Sequence, residues 1–199
     1  MENRVINKIM RWIAEDPSMV LIIKNRYLTE DMWDYCIEQE PELFSAMQNP
    51  SSEFIDKVVK KNGCLILIAI EKWPEKVTKN MVYHAVCNIP DIIVDIPNKW
   101  LDWRIREAAY DRSPKLMKFD KSIRYAYVER RIREDPTVIQ YISATEDQIC
   151  EAIRLSPAVC VYIKNMTPRI KDLIRELYPE SYPLLFPDDK EMMEESTRS

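Results

Sequence analysis

The stretch Thr29-Glu30-Asp31-Met32-Trp33-Asp34-Tyr35-Cys36-Ile37-Glu38-Gln39-Glu40-Pro41-Glu42-Leu43-Phe44-Ser45-Ala46-Met47 carries two helical signals in succession. Thr29 is a helix-capping residue type, and Met32, Trp33, Cys36 and Ile37 recur at helical spacing to make one apolar stripe. Pro41 then suits the first turn of a second helix, where its missing N–H costs nothing, and Leu43, Phe44 and Met47 give that helix an inward face of its own. The unit recurs along the chain. Taking Pro or Gly as the marker gives Pro17, Pro41, Gly63, Pro90, Pro114, Pro136, Pro157 and Pro179, at steps of 24, 22, 27, 24, 22, 21 and 22 residues.

The same design is visible in the other units. Thr78, Met81, Val82, Ala85 and Val86 precede Pro90, which is followed by Ile92, Ile93 and Ile96. Thr145, Ile149, Ala152 and Ile153 precede Pro157, Val159, Cys160 and Ile163. Residues before the markers (Asp16, Asn62, Ser113, Asp135, Ser156) are capping types, whereas Arg124 is a poor cap for the sixth unit. In the eighth, Pro183 and Pro187 leave no room for a full second helix. Helices of two or three turns cannot bury an apolar face alone, so neighbouring units must stack. The sequence therefore predicts an all-α fold: about eight tandem helix pairs of about 22 residues, stacked into a curved α-solenoid-like array without sheet. One repeat domain is expected over 1–186, with an acidic, disordered tail over 187–199.

Composition narrows the chemistry. At 199 residues and 46% hydrophobic content the chain can bury a core, and its composition is not that of a disordered chain. It contains a single Gly beside 13 Pro, which argues against tight hairpins and phosphate-cradling loops, since both need glycine. The amino end alternates polar and apolar residues without the apolar region of a secretory signal, and the longest apolar run, Cys64 to Ile70, cannot span a bilayer. The five cysteines (Cys36, Cys64, Cys87, Cys150, Cys160) have no paired spacing and fall mostly at apolar phases, as reduced core thiols of a cytoplasmic protein would.

The units resemble the short repeats of the family called domain of unknown function 4116. The likeness is carried by Val58-Val59-Lys60-Lys61-Asn62-Gly63-Cys64-Leu65 and by Thr145-Glu146-Asp147-Gln148-Ile149-Cys150-Glu151-Ala152-Ile153 leading to Tyr162-Ile163-Lys164-Asn165-Met166-Thr167. That family occurs in tandem in proteins of giant viruses, bacteriophages and bacteria. The resemblance implies an all-helical array and a viral or phage origin, and it brings no catalytic residues.

No catalytic constellation stands out. His84 is the only histidine; Cys87 lies three residues on, yet no orienting carboxylate or oxyanion loop accompanies them. One His and no Cys-X-X-Cys pair speak against a zinc site. The acid-plus-lysine groups Asp91, Asp95, Lys99 and Asp188, Asp189, Lys190, Glu191 lack the spacing of metal-dependent nucleases. Charge is uneven: residues 29–42 hold six acids and no base, whereas 104–133 holds ten bases against four acids, a local net of +6. Arg104, Arg106, Arg112, Lys115, Lys118, Arg124, Arg130 and Arg131 are the candidate partner-binding cations. Trp12 and Trp33 fall in apolar stripes and are expected in the core. Trp73, Trp100 and Trp103 sit near the longest connections and are the aromatic candidates for a partner surface.

The expected function is a non-catalytic protein-interaction module without cofactor or metal, not an enzyme, lying in the cytoplasm and away from membranes. In the version the resemblance suggests, a phage or viral protein binds and inhibits or redirects a host protein in the host cytoplasm. The alternative is a nucleic-acid-binding protein using 104–133, where tyrosines interleave with the bases. Self-association is open, because the eighth unit is incomplete.

Overall fold

The computed structural model describes residues 2–187, with side chains from Val5 onward; most of the expected acidic tail, from Asp188 on, lies outside the described residues. Every described element is helical. The first half of each repeat is an α-helix: α1 (Glu2–Glu15), α2 (Glu30–Gln39), α3 (Ser52–Lys61), then α5 (Lys79–Asn88), α6 (Trp103–Arg112), α7 (Tyr125–Glu134), α8 (Glu146–Leu155) and α9 (Pro168–Leu177). Between α3 and α5 stands α4 (Leu65–Lys72), and the four-residue α10 (Tyr182–Leu185) closes the series. The marker spacing thus predicts the repeat array and its all-α class.

Caps fix where these helices start. Thr29, Ser51, Thr78, Asp102, Thr145 and Thr167 each accept a hydrogen bond from the backbone N–H three residues on, at 3.0 to 3.4 Å. Gln148 closes a reciprocal capping box, accepting from the Thr145 N–H at 3.0 Å. Arg124 makes no such bond. Each cap is worth about 1 kcal/mol against Ala, enough to matter for ten-residue helices.

The second halves differ from the expectation of two- or three-turn helices. Six are 3-10 segments of five or six residues, each starting on its proline: Pro17–Leu21, Pro41–Ala46, Pro90–Val94, Pro114–Phe119, Pro136–Tyr141 and Pro157–Tyr162. So short a run gains more from bonds that close over three residues than over four. Asp16 and Asp135 cap two of them through Ser18 N and Thr137 N, at 2.9 and 3.0 Å, while Ser156 makes no side-chain cap bond. Extra 3-10 turns explain the uneven steps. Asn25–Tyr27, Pro74–Lys76 and Asn98–Trp100 fall within the steps of 24, 27 and 24 residues, and the steps of 21 or 22 contain none.

The third repeat places an eight-residue α-helix, α4, second, and it is the repeat marked by Gly63 instead of proline; after Pro179 the eighth has the four-residue α10. A Cβ at Gly63 would stand 2.8 Å from the carbonyl oxygen of Ala85 in α5, so the sole glycine lies at a close backbone approach of two neighbouring repeats.

The chain divides into two compact units, residues 1–113 and 114–199. In the first, α1, α2, α3, α5 and α6 pack in sequence order; Pro17–Leu21 lies against α1 and α2, and Pro90–Val94 against α5 and α6. In the second, α7, α8 and α9 pack in order, and the three 3-10 segments form a second row. Polar ties cross between repeats: Ser52 Oγ donates to the Lys76 carbonyl at 2.7 Å, Asn88 Nδ2 to the Lys60 carbonyl at 2.8 Å, and, in the second unit, Tyr178 OH to the Ile153 carbonyl at 2.9 Å. All five cysteines are free. Burial pushes the Cys36 thiol up to about 11, and raises Cys150 and Cys160 as well; Cys64, by contrast, is exposed. No described helix is long and apolar enough to cross a membrane.

Candidate functional site

The repeat register gives equivalent positions to compare. Nine residues before the marker stand Lys8, Met32, Phe54, Met81 and Ile105; five before it stand Trp12, Cys36, Val58, Ala85 and Ala109. From the second repeat onward every one of these is buried. Two of them meet the preceding repeat: Ala85 approaches Gly63, and Val58 shares a groove with Ile37 and Pro41. In the first repeat the same two positions are exposed, with Trp12 at 39%. Trp12 is therefore not the core residue that its periodicity predicts.

The exposed stripe forms one wall of an open groove of about 810 Å³. From α1 come Val5, Lys8, Ile9 and Trp12, spaced i, i+3, i+4 and i+7. Met19, Ile22, Ile23, Lys24 and Tyr27 of the following segment form the other wall, with Ile22 74% exposed. Lys8 Nζ lies 4.8 Å from the centre of the Trp12 ring, and the Arg26 guanidinium 4.7 Å from that of Tyr27, whose hydroxyl accepts from Arg26 Nη2 at 2.7 Å. The floor is apolar and the rim cationic. Sequence reading for catalysis or charge runs passes over this groove, yet a signal exists: Lys8 breaks the run of large apolar residues at its repeat position.

The predicted partner-binding residues scatter. In the first unit Trp73 is a core residue, 7% exposed, with its ring 5.1 Å from that of Phe44. It offers no surface. Trp100 is half-buried, its indole Nε1 enclosed without an acceptor, whereas Trp103 is 57% exposed. The Arg104 guanidinium stacks 4.3 Å from the centre of the Tyr83 ring, Arg106 donates to Asn98 Oδ1 at 3.0 Å, and Arg112 donates to the Ala108 carbonyl at 3.2 Å.

In the second unit Arg130 and Arg131 both pair with Glu134, at 3.4 and 2.7 Å, while Lys115 and Arg124 are exposed. Lys118 belongs to a cleft of about 740 Å³ that also gathers Lys121, Tyr125, Tyr141 and Lys164. Its ammonium lies 5.0 Å from the centre of the Tyr141 ring. The basic stretch is thus partly spent on local pairs, and Lys164 joins the cleft from outside it.

One ion-pair cluster ties two neighbouring helices together. Asp34 on α2 takes Lys57 and Lys61 of α3 at 2.9 and 2.8 Å, and Glu38 pairs with Lys61 as well. Burial alone would raise the Asp34 carboxyl; the two ammonium groups outweigh it and hold the carboxyl below its ordinary value. His84 Nε2 lies 3.3 Å from Asn80 Nδ2 on its own helix. No family model matches the chain, and the comparisons with curated proteins and solved structures found no match either.

Proposed function

We propose that this chain is a non-catalytic protein-interaction module and that the groove of the first repeat is its docking surface. One observation carries the reading: Lys8 and Trp12 are exposed at repeat positions whose equivalents at repeats two to five are buried, and the apolar Val5 and Ile22 beside them are exposed as well. An apolar stripe at helical spacing facing a second apolar wall is the form in which proteins receive a partner helix. A version in which the partner is a host protein met by a phage or viral protein rests on the family resemblance alone.

The test compares wild type with Ile22→Asp in cross-linked captures from lysate, with nuclease present. A dominant protein cross-linked through α1 in wild type and absent with Ile22→Asp supports the reading. Equal capture by the two proteins counts against it. A second reading, nucleic-acid binding by the second unit, is favoured by the convergence of Lys118, Lys121 and Lys164 with Tyr125 and Tyr141. It predicts that a single-stranded oligonucleotide binds at low salt, weakens steeply as salt rises, and fails to bind Lys118→Glu.

A further inference from the structure

We propose that the partner element received by the first-repeat groove is an amphipathic helix whose apolar stripe is flanked by carboxylates. This rests on the docking reading above and adds the chemistry of the occupant.

The inference comes from the molecule's own precedent. At the third repeat the equivalent stripe on α3 is buried, and its Val58 lies beside α2, an acidic helix. There Ile37 of α2 meets Val58 of α3 across the shared groove, and the Asp34 carboxylate takes the Lys57 ammonium at 2.9 Å. Lys57 stands six residues before its marker Gly63, and Arg11 stands six residues before its marker Pro17. The first repeat therefore repeats the cation at the position that meets an acidic covering helix. It adds two more, Lys8 and Lys24, on the groove itself. Lys8, Arg11 and Lys24 close no ion pair with any described carboxylate. An apolar helix without acids would leave Lys8 and Lys24 on the groove, and Arg11 beside it in sequence register, without a carboxylate, and a basic one would be repelled. Carboxylates on the flank of the stripe satisfy both walls at once.

The probe is a labelled synthetic peptide of residues 28–41, amino-acetylated and carboxy-amidated, which carries the acidic amphipathic pattern of α2. Its counterparts are one peptide with every Asp and Glu changed to Asn and Gln, and one with them changed to Lys. Binding to the full chain is read by fluorescence anisotropy. The acidic peptide is expected to saturate, with affinity falling about tenfold or more for Ile22→Asp and again for the triple variant Lys8→Glu, Arg11→Glu, Lys24→Glu. The neutral peptide is expected to bind about tenfold more weakly, and the basic one not at all.

If the neutral or basic peptide binds as tightly as the acidic one while Ile22→Asp still weakens it, the acidic assignment is overturned and the docking reading stands. Acidic-peptide binding that ignores Ile22→Asp overturns both. Absence of acidic-peptide binding overturns the inference, as does sedimentation showing a dimer of the full chain that Ile22→Asp dissociates, since a second copy would then own the groove.

Discussion

Helices α1 and α3 sit at the same place in their repeats and present the same positions, yet one face is open and the other is closed. On α3, Phe54 and Val58 are buried, with Val58 beside Ile37 of α2, and Lys57 and Lys61 are neutralised by Asp34 and Glu38. On α1 the corresponding Lys8 and Trp12 are exposed, and Arg11 has no described acid across from it. In a stacked array one surface serves as core or as binding site depending only on whether a neighbour lies on it. The substitution of Lys8 for a large apolar residue is what keeps an uncovered copy of that surface compatible with water.

The contrast can be broken most forcefully from the closed side. Val58→Asp places a carboxylate in the contact between repeats two and three and is expected to cost at least about 3 kcal/mol, whereas Trp12→Asp at the equivalent open position, where the ring is only partly covered, should cost about 1 kcal/mol. Urea denaturation of both variants measures the difference. Comparable losses would mean that the first repeat is covered after all.

Gly63→Ala comes next. The added Cβ drives into the backbone of Ala85, and repeats three and four must separate to admit it, at about 1–3 kcal/mol in a denaturation experiment. Thr78→Ala removes the cap that Met81 N uses and should cost about 1 kcal/mol by the same measurement.

The smallest effect is electrostatic. Because the folded Asp34 carboxyl is held below its ordinary value, its contribution is present above about pH 4 and is lost as pH falls through the folded value. Lys61 is raised, chiefly by its hydrogen bond to Asp34, so its contribution is present below about pH 10.4 and fades as pH rises above that. Asp34→Asn should flatten the acid limb of the stability profile, by at most about 1 kcal/mol given how exposed the partners Lys57 and Lys61 are.

What could be read from residues alone follows the same division. Helix periodicity and capping types locate α2, α3 and α5 to α9, because those signals are local: Thr29, Ser51, Thr78 and Asp102 cap where their spacing says they should. The second halves were legible in position but not in kind, since a proline marks a start without saying how many residues remain for four-residue closure. The tryptophans show the limit more sharply. Periodicity says which way Trp12 points, but not that no described helix covers it. A lapse in periodicity marks the connection around Trp73, yet Trp73 ends α4, which packs on Pro41–Ala46, and its ring meets Phe44 there. Charge counting found the basic stretch but not the pairing of Arg130 and Arg131 with Glu134, nor the arrival of Lys164 beside Lys118.

At the Lys8 and Trp12 positions the repeat face is open in the first repeat and closed in repeats two to five. Hydroxyl-radical footprinting of the full chain, read residue by residue by mass spectrometry, tests it most directly. Trp12 and Ile22 are expected to be modified far faster than the buried Trp33 and Phe54, and to become protected when the acidic peptide is added. Trp12 and Ile22 as slow as Phe54 in the free protein would contradict it.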